Sequence, residues 1–131
     1  GVWKNGTWVN GWWHSGTWEK GIWYGDTWLS GVWYSGTWLN GWWRSGEWHS
    51  GEWYNGLWHS GTWKNGSWYN GEWEDGEWYG GSWFGGIWKK GEWHSGQWLF
   101  GKWHSGDWHS GVYFNGKAFK NDEKPPEVDI D

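Results

Sequence analysis

Indole side chains recur along this chain with a period of five. Trp stands at every fifth position from Trp3 to Trp108, and Tyr113 takes the next place. Gly keeps the same period two residues earlier, from Gly1 to Gly116, and Asp26 is the only break in its column. The unit is therefore Gly-x-Trp-x-(Asn/Ser), as in Gly1-Val2-Trp3-Lys4-Asn5. Its last place holds Asn, Ser, Gly, Asp or Lys in every unit except the one ending at Phe100. Gly in a helix interior costs about 1 kcal/mol per residue, and five matches no 3.6-residue period. An Asn-Gly or Ser-Gly step is turn chemistry. The pattern predicts an all-β repeat protein.

Two architectures fit a five-residue unit. One is a square β-solenoid with one unit per side and Trp inward. The other is an elongated antiparallel meander of very short strands, with Gly-containing tight loops every five residues. Three features favour the meander. Residues 1 and 3 of a unit point the same way along a strand, so a solenoid would bury the Asp26 charge. A solenoid would also bury more than about twenty indole N–H donors, each costing about 1–3 kcal/mol if unpaired. Finally, a three-residue loop such as Lys4-Asn5-Gly6, closed by a left-handed Gly, leaves two-residue strands with workable hydrogen-bond parity. Successive Trp residues would then alternate faces, giving a period of ten. Second-place residues support it at first: Val2, Thr7, Trp12, Thr17, Ile22, Thr27, Val32, Thr37, Trp42. The alternation fades beyond Glu47. A longer duplication relates Gly1–Ser15 to Gly31–Ser45.

The hexamer Gly-x-Trp-x-Asn-Gly, seen at Gly1–Gly6, Gly51–Gly56 and Gly61–Gly66, resembles the first half of a MORN repeat. That resemblance implies a hairpin-built, non-catalytic scaffold binding proteins or lipids; the second half of the MORN unit, with His-Gly-x-Gly, is missing here. The five-residue spacing also resembles that of pentapeptide-repeat β-solenoids, with Gly-x-Trp in place of their small-x-(Leu/Phe) signature.

Composition narrows the function classes. With 26 Gly and 24 Trp in 131 residues, the chain is a repeat and not a mixed-sequence domain. A mean hydropathy of −1.03 and the lack of any long apolar run exclude a transmembrane helix. The net charge of −5 argues against nucleic acid and anionic membrane surfaces as partners. No Cys is present, which removes disulfides and thiolate metal sites. Beginning at Gly1 in phase with the repeat, the sequence has the look of a fragment or processed product. Residues 1–110 form the array, 111–120 a degenerate capping unit, and 121–131 an acidic, Pro-containing tail expected to be mobile.

No catalytic, cofactor or metal site is expected. All six His (His14, His49, His59, His94, His104, His109) occupy the fourth place of the unit, where the meander puts loops, and on a square solenoid no two would stack on successive coils. The acids Glu72, Glu74, Asp75 and Glu77 read as a solvated patch, since acid–base catalysis needs a concave, partly dry site. Asn5-Gly6-Thr7 and Asn65-Gly66-Ser67 match the glycosylation sequon where the turn already demands Asn-Gly. What remains is the indole columns. A face built from Trp8, Trp12, Trp18, Trp28, Trp38, Trp42 and Trp48 is the expected interaction surface. The expected function is a structural rod or spacer of a surface, fibre or virion assembly, a homo-oligomer packed through Trp-lined faces. A glycan-binding aromatic track is one alternative, and a MORN-like intracellular scaffold that binds protein or lipid is the other.

Overall fold

The computed structural model describes residues 1–129 and shows a three-sided parallel β-solenoid. Nearly every unit supplies a two-residue strand, such as Val2–Trp3 or Glu52–Trp53, while the unit Gly11–Ser15 contributes a single bridge from Trp13 to Trp28. Each strand pairs in parallel with the unit fifteen residues on, Val2 opposite Thr17 and Trp3 opposite Trp18. Three units therefore make one coil, and the coils stack into sheets of eight, nine and six strands over about 7 turns. The antiparallel meander is thereby corrected. The solenoid expectation holds in kind, with three sides in place of four. Among the described residues the one antiparallel pair is Val112–Phe114 with Phe119–Asn121, at the C-terminal end.

Glycine decides the geometry. The column glycines sit at φ between +97° and +128°, a region that residues with a Cβ avoid. The kink turns the chain a third of the way round instead of reversing it, so each strand bonds to the coils above and below and not to its chain neighbours. Thr17 N–H donates to Gly1 O (2.9 Å) and Glu19 N–H to Trp3 O (2.8 Å), and this pair recurs up the array. The kink also resets which way side chains point. Residues 1 and 3 share a direction only within a continuous strand, so Asp26, at a corner with φ +70°, faces solvent. No charge is buried among the described residues.

The interior is indole. Trp18 to Trp103 are fully buried at every fifth position. Each ring lies flat on the ring one coil away, as Trp43 on Trp58 at 4.8 Å and 6°. It meets the next ring of its own coil edge to face, as Trp53 against Trp58 at 5.9 Å and 71°. Both are favourable aromatic geometries. Most buried indole N–H groups have no protein acceptor among the described residues. Those that close reach the fifth-place carbonyl of the coil above: Trp63 to Gly80 O and Trp68 to Gly85 O, both 3.1 Å, and Trp88 to Ser105 O, 3.0 Å. An orphan donor costs about 1–3 kcal/mol. Removing about 200 Å² of indole from water contributes about 5 kcal/mol at about 25 cal/mol per Å². Burial wins, which is why the N–H cost does not forbid a closed interior.

The fifth place staples the corners. Ser hydroxyls donate to the fourth-place carbonyl of the coil below, as Ser50 to Tyr34 O and Ser105 to Lys89 O, both 2.8 Å. Asn and Asp act within their own corner, Asn65 Oδ1 accepting the Gly66 N–H at 2.9 Å. The ends differ. Trp3 and Trp8 remain half-buried at one end. At the other, Pro125 is buried, and Val128 N–H donates to Trp103 O at 2.9 Å. Of the acidic tail, Ile130 and Asp131 lie outside the described residues.

Candidate functional site

The solenoid divides the expected interaction face. Trp18, Trp28, Trp38 and Trp48 are in the sealed core, and Trp8 is half-buried at the open end. Only Trp12 and Trp42 stand outward, 59% and 52% exposed. They occupy the second place of their units, off the periodic register. Both fall on the third side, in one column with Thr27 between them, because Thr27 is opposite Trp42 and Trp13 is bridged to Trp28. At about 4.8 Å per rung they are about 10 Å apart.

The one break in the Gly column lies in the same place. Asp26 Oδ2 accepts the Gly11 N–H at 2.8 Å, one coil below, and Asp26 O accepts the Trp42 N–H at 2.9 Å, one coil above. Asp26, Thr27, Asn40, Gly41 and Trp42 line a shallow surface depression of about 360 Å³. Thus the two off-register indoles and the one non-glycine corner converge on one patch. It offers an aromatic ring, a carboxylate and a hydroxyl together.

A second aromatic feature runs the length of the second side. Every fifteenth residue from Val9 to Phe114 is Val, Leu, Tyr or Phe. They form one outward column, since the strands of this side stack in register. Tyr54, Tyr69 and Phe84 stack on one another at 4.8 and 5.0 Å with interplanar angles of 8° and 9°. Their ring faces are occupied by each other and their edges point outward. Such a column suits packing against another apolar surface and gives a sugar ring no free face to lie on. The sequence carries this signal, but only when read at a period of fifteen.

Most charged groups of the array lie on the first and third sides and their corners, with Glu52 on the second. Lys89 Nζ lies 3.8 Å from Glu72 and 3.5 Å from Glu74, and Lys90 Nζ lies 3.8 Å from Asp75. Glu77 accepts the Tyr79 hydroxyl at 2.7 Å, which raises the Tyr79 pKa above the ordinary tyrosine value, with burial adding to it. The Glu52 charge raises Tyr54 in the same direction. Glu72, Glu74 and Asp75 sit in open ion pairs with Lys89 and Lys90, beside a shallow depression of about 400 Å³ lined by Glu74, Lys89, Lys90, His104 and Ser105 that opens to solvent. Three units per coil also change the histidine picture: His94 and His109 do stack on successive coils, at 4.9 Å and 10°. His104 Nδ1 lies 2.8 Å from Val128 O under the C-terminal segment.

The Trp period of five on a parallel β-solenoid is compatible with a pentapeptide-like repeat. No helix among the described residues is long and apolar enough to cross a membrane. No family model, no curated protein and no solved structure matches this chain, so the likeness to MORN repeats rests on the Gly-x-Trp-x-Asn-Gly hexamer alone.

Proposed function

We propose that this chain is a non-catalytic structural rod, and that it packs side by side with copies of itself in a fibre or surface assembly. One observation carries the reading: the uncharged apolar column from Val9 to Phe114, set at the regular spacing of the coils. A second copy presents the same column at the same spacing, so side chains of one interleave with those of the other. Beside it, the second-place residues of that side are Thr, Ile, Ser, Gln and Val with Glu52 the single charge. The first side carries an excess of acids, Glu19, Glu47, Glu77, Glu92 and Asp107 against Lys4 and Lys64, and would repel a like surface. The third side mixes Arg44, Lys89 and Lys102 with Glu72 and Glu74. Eight rungs of about 4.8 Å give roughly 500 Å² per copy, or about 1,000 Å² in all. That is the scale of a weak contact that becomes stable in an array. In place of the Trp faces that the sequence predicts, the rod associates through Tyr, Phe and Leu, because the indoles are used for the core. Sedimentation velocity over a concentration series tests it: self-association is expected for the native chain and lost in Tyr54→Glu/Phe84→Glu. A native chain that stays monomeric at millimolar concentration overturns it.

A second reading, a saccharide-binding patch, is favoured by the convergence of Trp12, Asp26, Thr27 and Trp42. An elongated polyol ligand would lie across the two exposed indoles and hydrogen-bond to the polar groups between them. Calorimetric titration against a glycan panel, with Trp12→Ala/Trp42→Ala as control, tests it. Absence of heat throughout the panel removes this reading and leaves the rod untouched.

A further inference from the structure

We propose that Glu92, His94 and His109 form a binding site for one borderline divalent transition-metal ion of the zinc class, on the outer surface of the first side. Glu92 and His94 flank the inward Trp93, at the strand Glu92–Trp93 and just after it, so both project outward from the same rung. The next coil brings His109 over His94 in register. One donor atom from each of the three lies within 4.8 Å of the others, and His109 Nε2 is 3.3 Å from Glu92 Oε1. Donors around a single tetrahedral zinc are about 3.3 Å apart, from metal–nitrogen bonds of about 2.0–2.1 Å. Closing the remaining gap takes side-chain rotation alone. His109 is exposed, and turning its ring toward the ion gives up only its stack on His94, while the Glu92 carboxylate reaches from a flexible stem.

His94 is the anchor. Its ring is held between Tyr79, at 4.3 Å and 4°, and His109. Its Nε2 is shielded from solvent and has no hydrogen-bond partner. A buried nitrogen without a partner carries an uncompensated cost, which a cation at the mouth of the stack relieves. Two imidazoles and one carboxylate suit zinc, nickel or copper; calcium and magnesium prefer all-oxygen sites. One coordination position stays open to water. The net charge of −5 favours approach of a cation. This site lies on a different side from both the apolar column and the Trp12–Trp42 patch, so its presence or absence leaves those readings intact.

The test is a Zn²⁺ titration of the full chain against a competing chromophoric chelator, with Ca²⁺ in parallel. The expected result is one Zn²⁺ per chain, no Ca²⁺ binding, and affinity reduced about tenfold or more in His109→Ala and again in His94→Ala. Because His109 is exposed, His109→Ala is expected to keep the native circular dichroism and thermal midpoint without metal. Co²⁺ substitution supplies a second readout, a tetrahedral visible spectrum that the His94→Ala/His109→Ala pair loses. The proposal is overturned by absence of Zn²⁺ binding, by equal Ca²⁺ binding, or by Zn²⁺ affinity unchanged in the double variant.

Discussion

The backbone oxygen of Gly36 occupies the place where a Cβ on Gly51 would have to stand. The same relation joins successive column glycines up the array, so the residue is required twice, by its φ of +119° and by the coil beneath it. Gly6, in the first coil, meets only the far edge of Trp3 at 3.6 Å, with φ +110°. Gly6→Ala should therefore cost backbone strain alone, about 1–3 kcal/mol. Gly51→Ala should cost that plus a forced separation of coils, roughly 2–5 kcal/mol in all. Chemical denaturation of the two variants side by side checks the order; equal midpoints would mean that coil stacking places no demand on this position.

The indole stacks predict a gradient of sensitivity along the rod. Trp58 stacks on Trp43 and Trp73, at 4.8 and 4.7 Å, and is fully buried. Trp3 stacks on Trp18 only, at 5.1 Å, and is half-buried. Trp58→Ala should lose about 3–5 kcal/mol, and Trp3→Ala markedly less. Because each coil touches only its neighbours, hydrogen exchange of the Trp58 variant should show protection lost around that coil first, with the distant coils still protected.

The β class, the two-residue strands and the left-handed glycine are legible because each is a local property of five residues. Three-fold closure is not local. It resides in columns fifteen residues apart, such as Val9, Tyr24, Leu39 and Tyr54, whose shared apolar character means nothing at a period of five or ten. The Thr7, Thr17, Thr27, Thr37 alternation points toward ten and toward paired strands, although in the solenoid these residues go to all three sides in turn. The likeness of Gly1–Ser15 to Gly31–Ser45 is a spacing of two coils. Asp26 points away from the solenoid only if the corner residue is assumed to face inward, which a left-handed kink prevents. The exposed patch at Trp12 and Trp42 is visible in sequence as two Trp out of register. Their meeting with Asp26 depends on how many units close a coil, and so it is hidden until the coil is known.

Tyr79 and Tyr54 give the fold a dependence on alkaline pH with a definite sign. The folded state holds the Tyr79 proton more tightly, first through the hydrogen bond to Glu77 and then through burial. A raised folded pKa contributes stability that is full below the ordinary tyrosine value and is lost as pH rises through the folded one. Ultraviolet difference titration should show Tyr79 ionising above the ordinary tyrosine value, and Glu77→Gln should bring it down. Glu52→Gln should lower Tyr54 likewise, since the Glu52 charge is the leading cause there. Titration curves identical to the native chain in both variants would contradict these assignments.

At the one corner without glycine, the carboxylate replaces a rung of the ladder. The bond that would run from Thr27 N–H to Gly11 O, by analogy with Thr17 to Gly1, is not made, and Asp26 Oδ2 takes the Gly11 N–H instead. Asp tolerates φ of +70° better than most residues, so conformation and hydrogen bond depend on the same side chain. Asp26→Asn keeps both the left-handed tolerance and an acceptor oxygen and should change stability by less than about 0.5 kcal/mol. Asp26→Ala loses this acceptor and keeps the strain, while Asn10 Oδ1 still accepts the Gly11 N–H at 2.8 Å, and should cost about 1 kcal/mol. Asp26→Gly removes the strain and lets the Thr27–Gly11 rung form, so it should be at least as stable as the native chain in thermal melts. If Asp26→Gly proves the least stable of the three, the carboxylate holds the first coils together by itself. In that case the depression beside Trp42 is a structural joint and not a site left open for a ligand.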